Sequence, residues 1–326
     1  MGGRALMQIP ILNGIYTDTD PSVRVSYPKN LIPVAQKNGI SNGFLRPGDG
    51  IIPAGVGPGV TRGGINWNEV LYRVMGSKLV SIATDESHIV LGDVGGTTAN
   101  VSFDYSFDRL AIASNNNLFY WDGSTLTQVT DSDLGTVIDM IWIDGYFMTT
   151  DGANLVVTDL NNPLSVNSLK YGSSEIDPDP VVALLKLRNE AYALNRYTTE
   201  VFNNIGGDFF PFVRVEGAQI QKGCTGTHAC CVYLETIAFV GGSRNEQPGV
   251  YLGANGQANK ISSREIDDLL ENYTETQLSL IKLEARNDRS SQLLYIHLPD
   301  KCLVYDAATS QLMEQAVWCI LQSPLG

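Results

Sequence analysis

Six times between residues 71 and 306 the chain passes through an apolar stretch, a short polar turn and a second apolar stretch. The copies occupy residues 71–82, 110–121, 146–157, 191–202, 237–252 and 294–305, and their starts lie 39, 36, 45, 46 and 57 residues apart. Each copy reads as a β-hairpin. An isolated hairpin cannot bury its apolar face, so a series at this spacing must stack or close into a ring. A period of 40–50 residues suits blades of about four strands, and the pattern predicts an all-β, β-propeller-like core of about six hairpin-based blades.

The first 66 residues differ from the rest. Seven of the fourteen prolines fall there (10, 21, 28, 33, 47, 53 and 58), each removing a ladder donor and stiffening the backbone. We divide the chain into an extended Pro/Gly-rich N-terminal arm, residues 1–66, and a propeller domain, residues 67–326. The arm lies across either its own propeller or a neighbouring subunit. Asn115-Asn-Asn117 and Asp151-Gly152 supply residues that tolerate positive φ at hairpin turns. One short inserted helix is expected after Ser262, where Ser262 and Glu265 form a capping box and Ile266, Leu269, Leu270 and Tyr273 recur at helical spacing. Residues 206–212 hold Phe209, Phe210 and Phe212 beside a glycine pair, and read as buried strand aromatics or as a partner-facing patch.

Net charge is −13 with only 17% charged residues. An acidic surface repels phosphate, which argues against sequence-reading or tight groove binding of nucleic acid but not against a wall past which DNA slides. Five cysteines (224, 230, 231, 302 and 319) and no secretory leader suggest reduced, mostly buried thiols and synthesis in a cytoplasm. No run of 18 apolar residues occurs.

Candidate chemistry is thin. Gly39-Ile-Ser-Asn-Gly43 matches the nucleophile-elbow pattern, but that motif needs a following helix and Pro47 opposes one. Cys224, His228, Cys230 and Cys231 lie close in sequence without the second short-spaced pair that structural zinc requires. His88 and His297 complete the three histidines, none at a recognisable spacing from a partner. Asp177 with Asp179, and Asp267 with Asp268, are the adjacent carboxylates that any acidic chain offers. The residues assign no catalytic, cofactor-binding or metal site.

Several stretches resemble one family in order along the chain. They are Tyr27-Pro-Lys-Asn-Leu-Ile-Pro33, Gly43-Phe-Leu-Arg-Pro47, Gly57-Pro-Gly-Val-Thr-Arg-Gly-Gly64, Leu71-Tyr-Arg-Val-Met-Gly76 and Val94-Gly95. Farther on come Gly253-Ala-Asn-Gly-Gln-Ala258, Ile261 with Ile266, Tyr273-Thr-Glu275, Tyr295-Ile-His-Leu-Pro299, Leu303-Val-Tyr-Asp-Ala307 and Trp318-Cys319. Together they resemble the packaged-DNA stabilisation proteins, the tail accessory hubs of short-tailed phages. The resemblance implies a non-enzymatic virion protein, assembled in six copies beneath the portal and its adaptor ring. It would close the channel on packaged double-stranded DNA, carry the tail needle or a distal tail piece, and form part of the ejection path. Members of that family continue past the position of Trp318, so the propeller is expected to be truncated at its C-terminus. Removing residues 1–60 should, on this view, spare folding and weaken attachment to the ring. Two other classes fit a propeller: a tail-borne glycosidase, and a module that binds a host-surface glycan or protein. Acid pairs converging on the central funnel beside arginines would favour the enzyme.

Overall fold

The computed structural model describes residues 15–18, 23–36, 42–50, 55–160, 162–289 and 291–322. Two hairpins precede the blades: β1 (Ile15–Asp18) with β2 (Val23–Ser26), and β3 (Leu31–Ala35) with β4 (Gly43–Pro47). Six antiparallel sheets follow. The first is β5 (Thr61–Trp67), β6 (Val70–Met75), β7 (Lys78–Ile82) and β8 (His88–Asp93). The second is β9 (Ser102–Tyr105), β10 (Leu110–Ser114), β11 (Asn117–Trp121) and β12 (Leu126–Gln128). The third is β13 (Asp139–Ile143), β14 (Tyr146–Thr150), β15 (Asn154–Asp159) and β16 (Asn162–Ser173). The fourth is β17 (Val181–Leu187), β18 (Glu190–Asn195), β19 (Thr199–Asn204) and β20 (Phe212–Arg214).

In the fifth sheet the innermost position is shared by β21 (Gly223–Cys224) and β22 (Cys230–Tyr233), both paired with β23 (Thr236–Gly242); β24 (Gly249–Ala254) and β25 (Gln257–Lys260) complete it. The sixth is β26 (Lys282–Asp288), β27 (Ser291–His297), β28 (Cys302–Asp306) and β29 (Trp318–Leu321). The fold is an all-β, six-bladed propeller. Its first blade begins at Thr61, inside the segment assigned to the arm.

Each hairpin read from the sequence is the middle pair of a blade. Leu71 faces Ile82, Leu110 faces Trp121, Ala191 faces Phe202 and Leu294 faces Tyr305. Middle strands are covered on both faces, which is why β10 and β14 are buried along their whole length and read as continuous apolar runs. Alternation decides which neighbour each residue meets. Leu110 and Ile112 pack with Val74 and Leu79 of the first blade, whereas Ala111 and Ala113 pack with Met140 and Phe147 of the third. The turn between β10 and β11 has φ of 51° at Asn115 and 62° at Asn116, the pair of positive values that a tight hairpin turn requires.

Three α-helices occur among the described residues rather than one, besides a 3-10 turn at Ser132–Leu134. α1 (Arg264–Glu271) and α2 (Glu275–Leu278) join the fifth and sixth blades, and α3 (Ala307–Met313) joins β28 to β29. The cap of α1 sits one residue later than expected. Ser263 accepts from the amide of Ile266, because the Ser262 hydroxyl accepts from the Val250 amide of β24 and donates to Asp267. The capping box belongs to α2, between Thr274 and Gln277.

A propeller has one seam, where the last blade meets the first. At the other boundaries apolar side chains of adjacent blades share one cluster. At the seam, Leu293, Tyr295, Val304 and Cys319 of the sixth blade instead close around Ile32 of the arm. Lys29 bridges in parallel to Ile320, with the Asn30 amide donating to the Ile320 carbonyl (2.7 Å) and the Ile320 amide to that of Pro28 (2.9 Å). Arg46 pairs with Asp288. The arm then crosses to the first blade, where Gly57 lies against Met75, and a Cβ on Gly59 would stand 2.8 Å from Gly76 Cα. Residues 28–36 and 42–50 therefore lie on their own propeller as the cover of its last blade.

A cover built into the seam makes its loss a change to the fold itself, so removing residues 1–60 should destabilise the chain rather than spare it. Replacing Ile32 by Ala alone should cost about 2–4 kcal/mol, the usual range for emptying a well-packed site. Urea unfolding followed by tryptophan fluorescence measures this, and a change below about 0.5 kcal/mol, no larger than an ordinary surface substitution, would show the cover to be dispensable.

Candidate functional site

The inner strands of all six blades surround a central cavity of about 900 Å³. Inner strands of neighbouring blades share no ladder, so their polar groups need other partners, from side chains or from single main-chain contacts. The sequence supplies these one blade at a time. Asp104 on β9 accepts from the Trp142 amide of the third blade (2.6 Å). Asp139 on β13 accepts from the Leu184 amide of the fourth (2.7 Å), and the His228 carbonyl of the fifth accepts from Leu283 of the sixth (2.8 Å). Lys186 donates to the Trp142 carbonyl (2.7 Å) and stands 5.1 Å from the centre of that indole.

Arg62, within the Gly57–Gly64 motif, ties the first blade to the second. Its guanidinium is buried and donates to the carbonyls of Ala99, Gly76 (2.8 Å) and Gly95 (2.7 Å), and to the Ser114 hydroxyl (3.0 Å). Among the described residues no carboxylate pairs with it; carbonyl dipoles and one hydroxyl hold the charge.

Asp104, Asp139, Glu284 and Arg62 thus do converge on the funnel, the arrangement that would favour a glycosidase. Each is already engaged. The two aspartates hold amides of the next blade, Arg62 holds loop carbonyls, and Glu284 lies 3.4 Å from His297 Nε2. Burial pushes the Asp139 carboxyl up to about 7 and raises that of Asp104. His228, also in the wall, is held down to about 4, first by burial and then by Lys282. His297 is pushed up to about 9 by the sulfur of Cys302 across the ladder and then by the Glu284 carboxylate. The arrangement resembles a set of interblade ties more than an acid–base pair.

The other sequence candidates are dispersed. Gly43 opens strand β4, which is followed by no helix among the described residues, and Ser41 lies outside them. Cys224 is buried and its thiol donates to the Gly226 and Ala229 carbonyls. Cys230 is buried and Cys231 half-buried on the other face of β22. Among the described residues no three metal-ligating side chains gather. Asp179 caps the amides of Tyr197 (2.6 Å) and Thr198 (3.1 Å), and Asp267 takes Ser262 and Lys260. The aromatic run divides: Phe212 is buried, Phe210 packs against it, and Phe209 is exposed. Sequence reasoning noted Arg62 only as part of a family motif and missed Lys186, Lys282 and Glu284, since inner strands carry no repeat that would flag them.

No helix of the described residues is long and apolar enough to cross a membrane. The family described as "Bacteriophage P22 Gp10, beta-propeller" matches residues 7–326. The tail hub protein gp10 of Salmonella phage P22 is 29% identical over 341 aligned positions, covering 98% of this chain and 70% of that protein. Among solved structures, the Pan2 WD40 domain of Neurospora crassa aligns with a TM-score of 0.52 at 12% identity, covering 81% of this chain and 79% of that one. That likeness concerns the fold alone. PorZ of Porphyromonas gingivalis gives a TM-score of 0.47 at 15% identity, over 76% of this chain and 31% of that one.

Two measurements check the electrostatics and the tie. Because His297 titrates above an ordinary imidazole, its contribution to stability is complete below about pH 6.5 and fades as pH rises through about 9. His228 has the opposite sign, and its contribution fades as pH falls from about 6.5 to about 4. Imidazole carbon shifts followed by NMR should place the two midpoints on either side of neutrality; a His297 midpoint near 6.5 contradicts the pairing. Arg62→Met, which strands several buried acceptors, should cost about 2–4 kcal/mol in calorimetry.

Proposed function

The chain belongs to the P22 Gp10 β-propeller family, and on that footing we propose that it is the hub of a short phage tail, closing the channel on packaged DNA and lying on the ejection path. The observation that carries this is the match to a tail hub protein over 98% of the chain. A structural role in the phage tail follows from that match and the family. Retention of DNA, assembly in six copies under a portal and adaptor, and carriage of a needle or distal tail piece are the further steps proposed here.

The physical chemistry supports them. A scaffold needs a ring whose parts are locked to one another, and the charged groups around the cavity serve that locking. A conduit for DNA benefits from a wall of like sign. At a Debye length of about 8–10 Å, carboxylates keep a duplex from adhering, and the net charge is −13. The protein passes DNA without reading it.

The test is assembly. In a phage that encodes this chain, a nonsense mutation in its gene should give heads that fill with DNA and then lose it, and supplying the full chain should restore retention. Quantitative mass spectrometry of purified particles should find six copies of the chain per particle. Filled heads that stay filled without it would remove the retention role.

A further inference from the structure

The two ends of the propeller are set by strand direction. Loops joining first to second and third to fourth strands of every blade emerge at one end. There the chain exposes large apolar side chains on four successive blades. Phe107 (93% exposed) lies between β9 and β10, and Leu160 between β15 and β16. Ile205 and Phe209 (63%) lie between β19 and β20, and Leu234 (50%) between β22 and β23. Large apolar side chains are exposed at the opposite end as well, at Val60, Ile138, Ile176 and Leu280; what points to a contact surface here is their presence on strand-joining loops of four successive blades.

Leu234 adds an independent sign. Its φ is 54°, a left-handed conformation that the equivalent turns of other blades give to the polar residues Asn68, Asp144, Arg188 and Arg289; only this one gives it to an apolar side chain. The turn is nonetheless held in place, with the Leu234 amide donating to Gln292 Oε1 (3.1 Å) and the Tyr233 hydroxyl to the Gln292 carbonyl (2.7 Å). Beside it opens a cleft of about 520 Å³ bounded by Leu234, Arg289, Gln292 and Gln311. An exposed leucine fixed against its own backbone preference, at the mouth of a cleft, has the form of an interface anchor.

The charge around it indicates what it meets. Glu69, Glu86, Asp144, Asp208 and Glu235 are exposed on the same loops. Arg109, Arg188 and Arg289 each already face a carboxylate, and the described residues of these loops include no lysine. A second copy would bring the same carboxylates, and a duplex would bring phosphates. We infer that this end of the propeller docks a different protein, one that presents apolar side chains within a surround of lysine and arginine. The inference rests on the hub reading and gives it a face.

Carbodiimide cross-linking of particles that contain the full chain should join Glu69, Asp144, Asp208 or Glu235 to lysines of another tail protein. Leu234→Gly relieves the turn, so it should leave the unfolding midpoint unchanged or higher, yet lower the amount of the cross-linked protein per particle at least tenfold. F107D/F209D should do the same, while L169D/Y171D on the outer strand β16 should not. Cross-links to a second copy or to the chain's own N-terminal residues, or full retention of the partner by Leu234→Gly, overturn the docking face while leaving the hub reading intact. Absence of the wild-type chain from particles removes both.

Discussion

Every blade of this protein has two apolar faces, and each face must find a partner. Five boundaries solve this by sequence succession, since consecutive blades are neighbours in space and share a cluster. The sixth cannot, because the first and last blades are joined by no loop. The face formed by Leu293, Tyr295, Val304 and Cys319 is covered by Ile32 and its hairpin, and the ring depends on that cover. The β3–β4 hairpin and the last strand thus meet at one place, and this part of the arm, which looks like an appendage in the sequence, is a structural part of the last blade.

The second constraint is polar. Sheets that pack face to face make no ladder with one another, so the inner rim of a propeller exposes amides and carbonyls to the cavity. Here charged side chains satisfy them: Arg62 reaches three carbonyls, and Asp104 and Asp139 each hold an amide of the next blade. The same residue types would build a hydrolase if they were free to reach a substrate. Their engagement with backbone separates a scaffold from an active site, and it accords with membership of a tail hub family.

Much of the fold was legible, for a physical reason. Second and third strands are buried on both faces and so appear as continuous apolar runs around a turn; all six hairpins were identifiable, and the structure pairs Leu71 with Ile82 and Leu294 with Tyr305 across two of them. First strands border the cavity and carry Arg62, Asp104, Lys186 and Glu284 among apolar residues, while outer strands such as Leu126–Gln128 are half exposed. Neither gives a period. The helix cap moved from Ser262 to Ser263 because a strand amide claimed the first hydroxyl. α3 is capped by Asp306, whose carboxylate accepts from the amides of Ala308 and Thr309, and no helical apolar period announced it.

The amino-acid order alone determined the number of blades, the turns that accept positive φ and the collinear family signature, because these depend on neighbours along the chain. Only the tertiary structure decided that Ile32 covers the sixth blade more than 250 residues farther along the chain, that a buried arginine answers to carbonyls instead of a carboxylate, and that four successive blades expose apolar side chains on loops of one end. Those outcomes arise from groups brought together by ring closure, and ring closure leaves no local trace in the residues it joins.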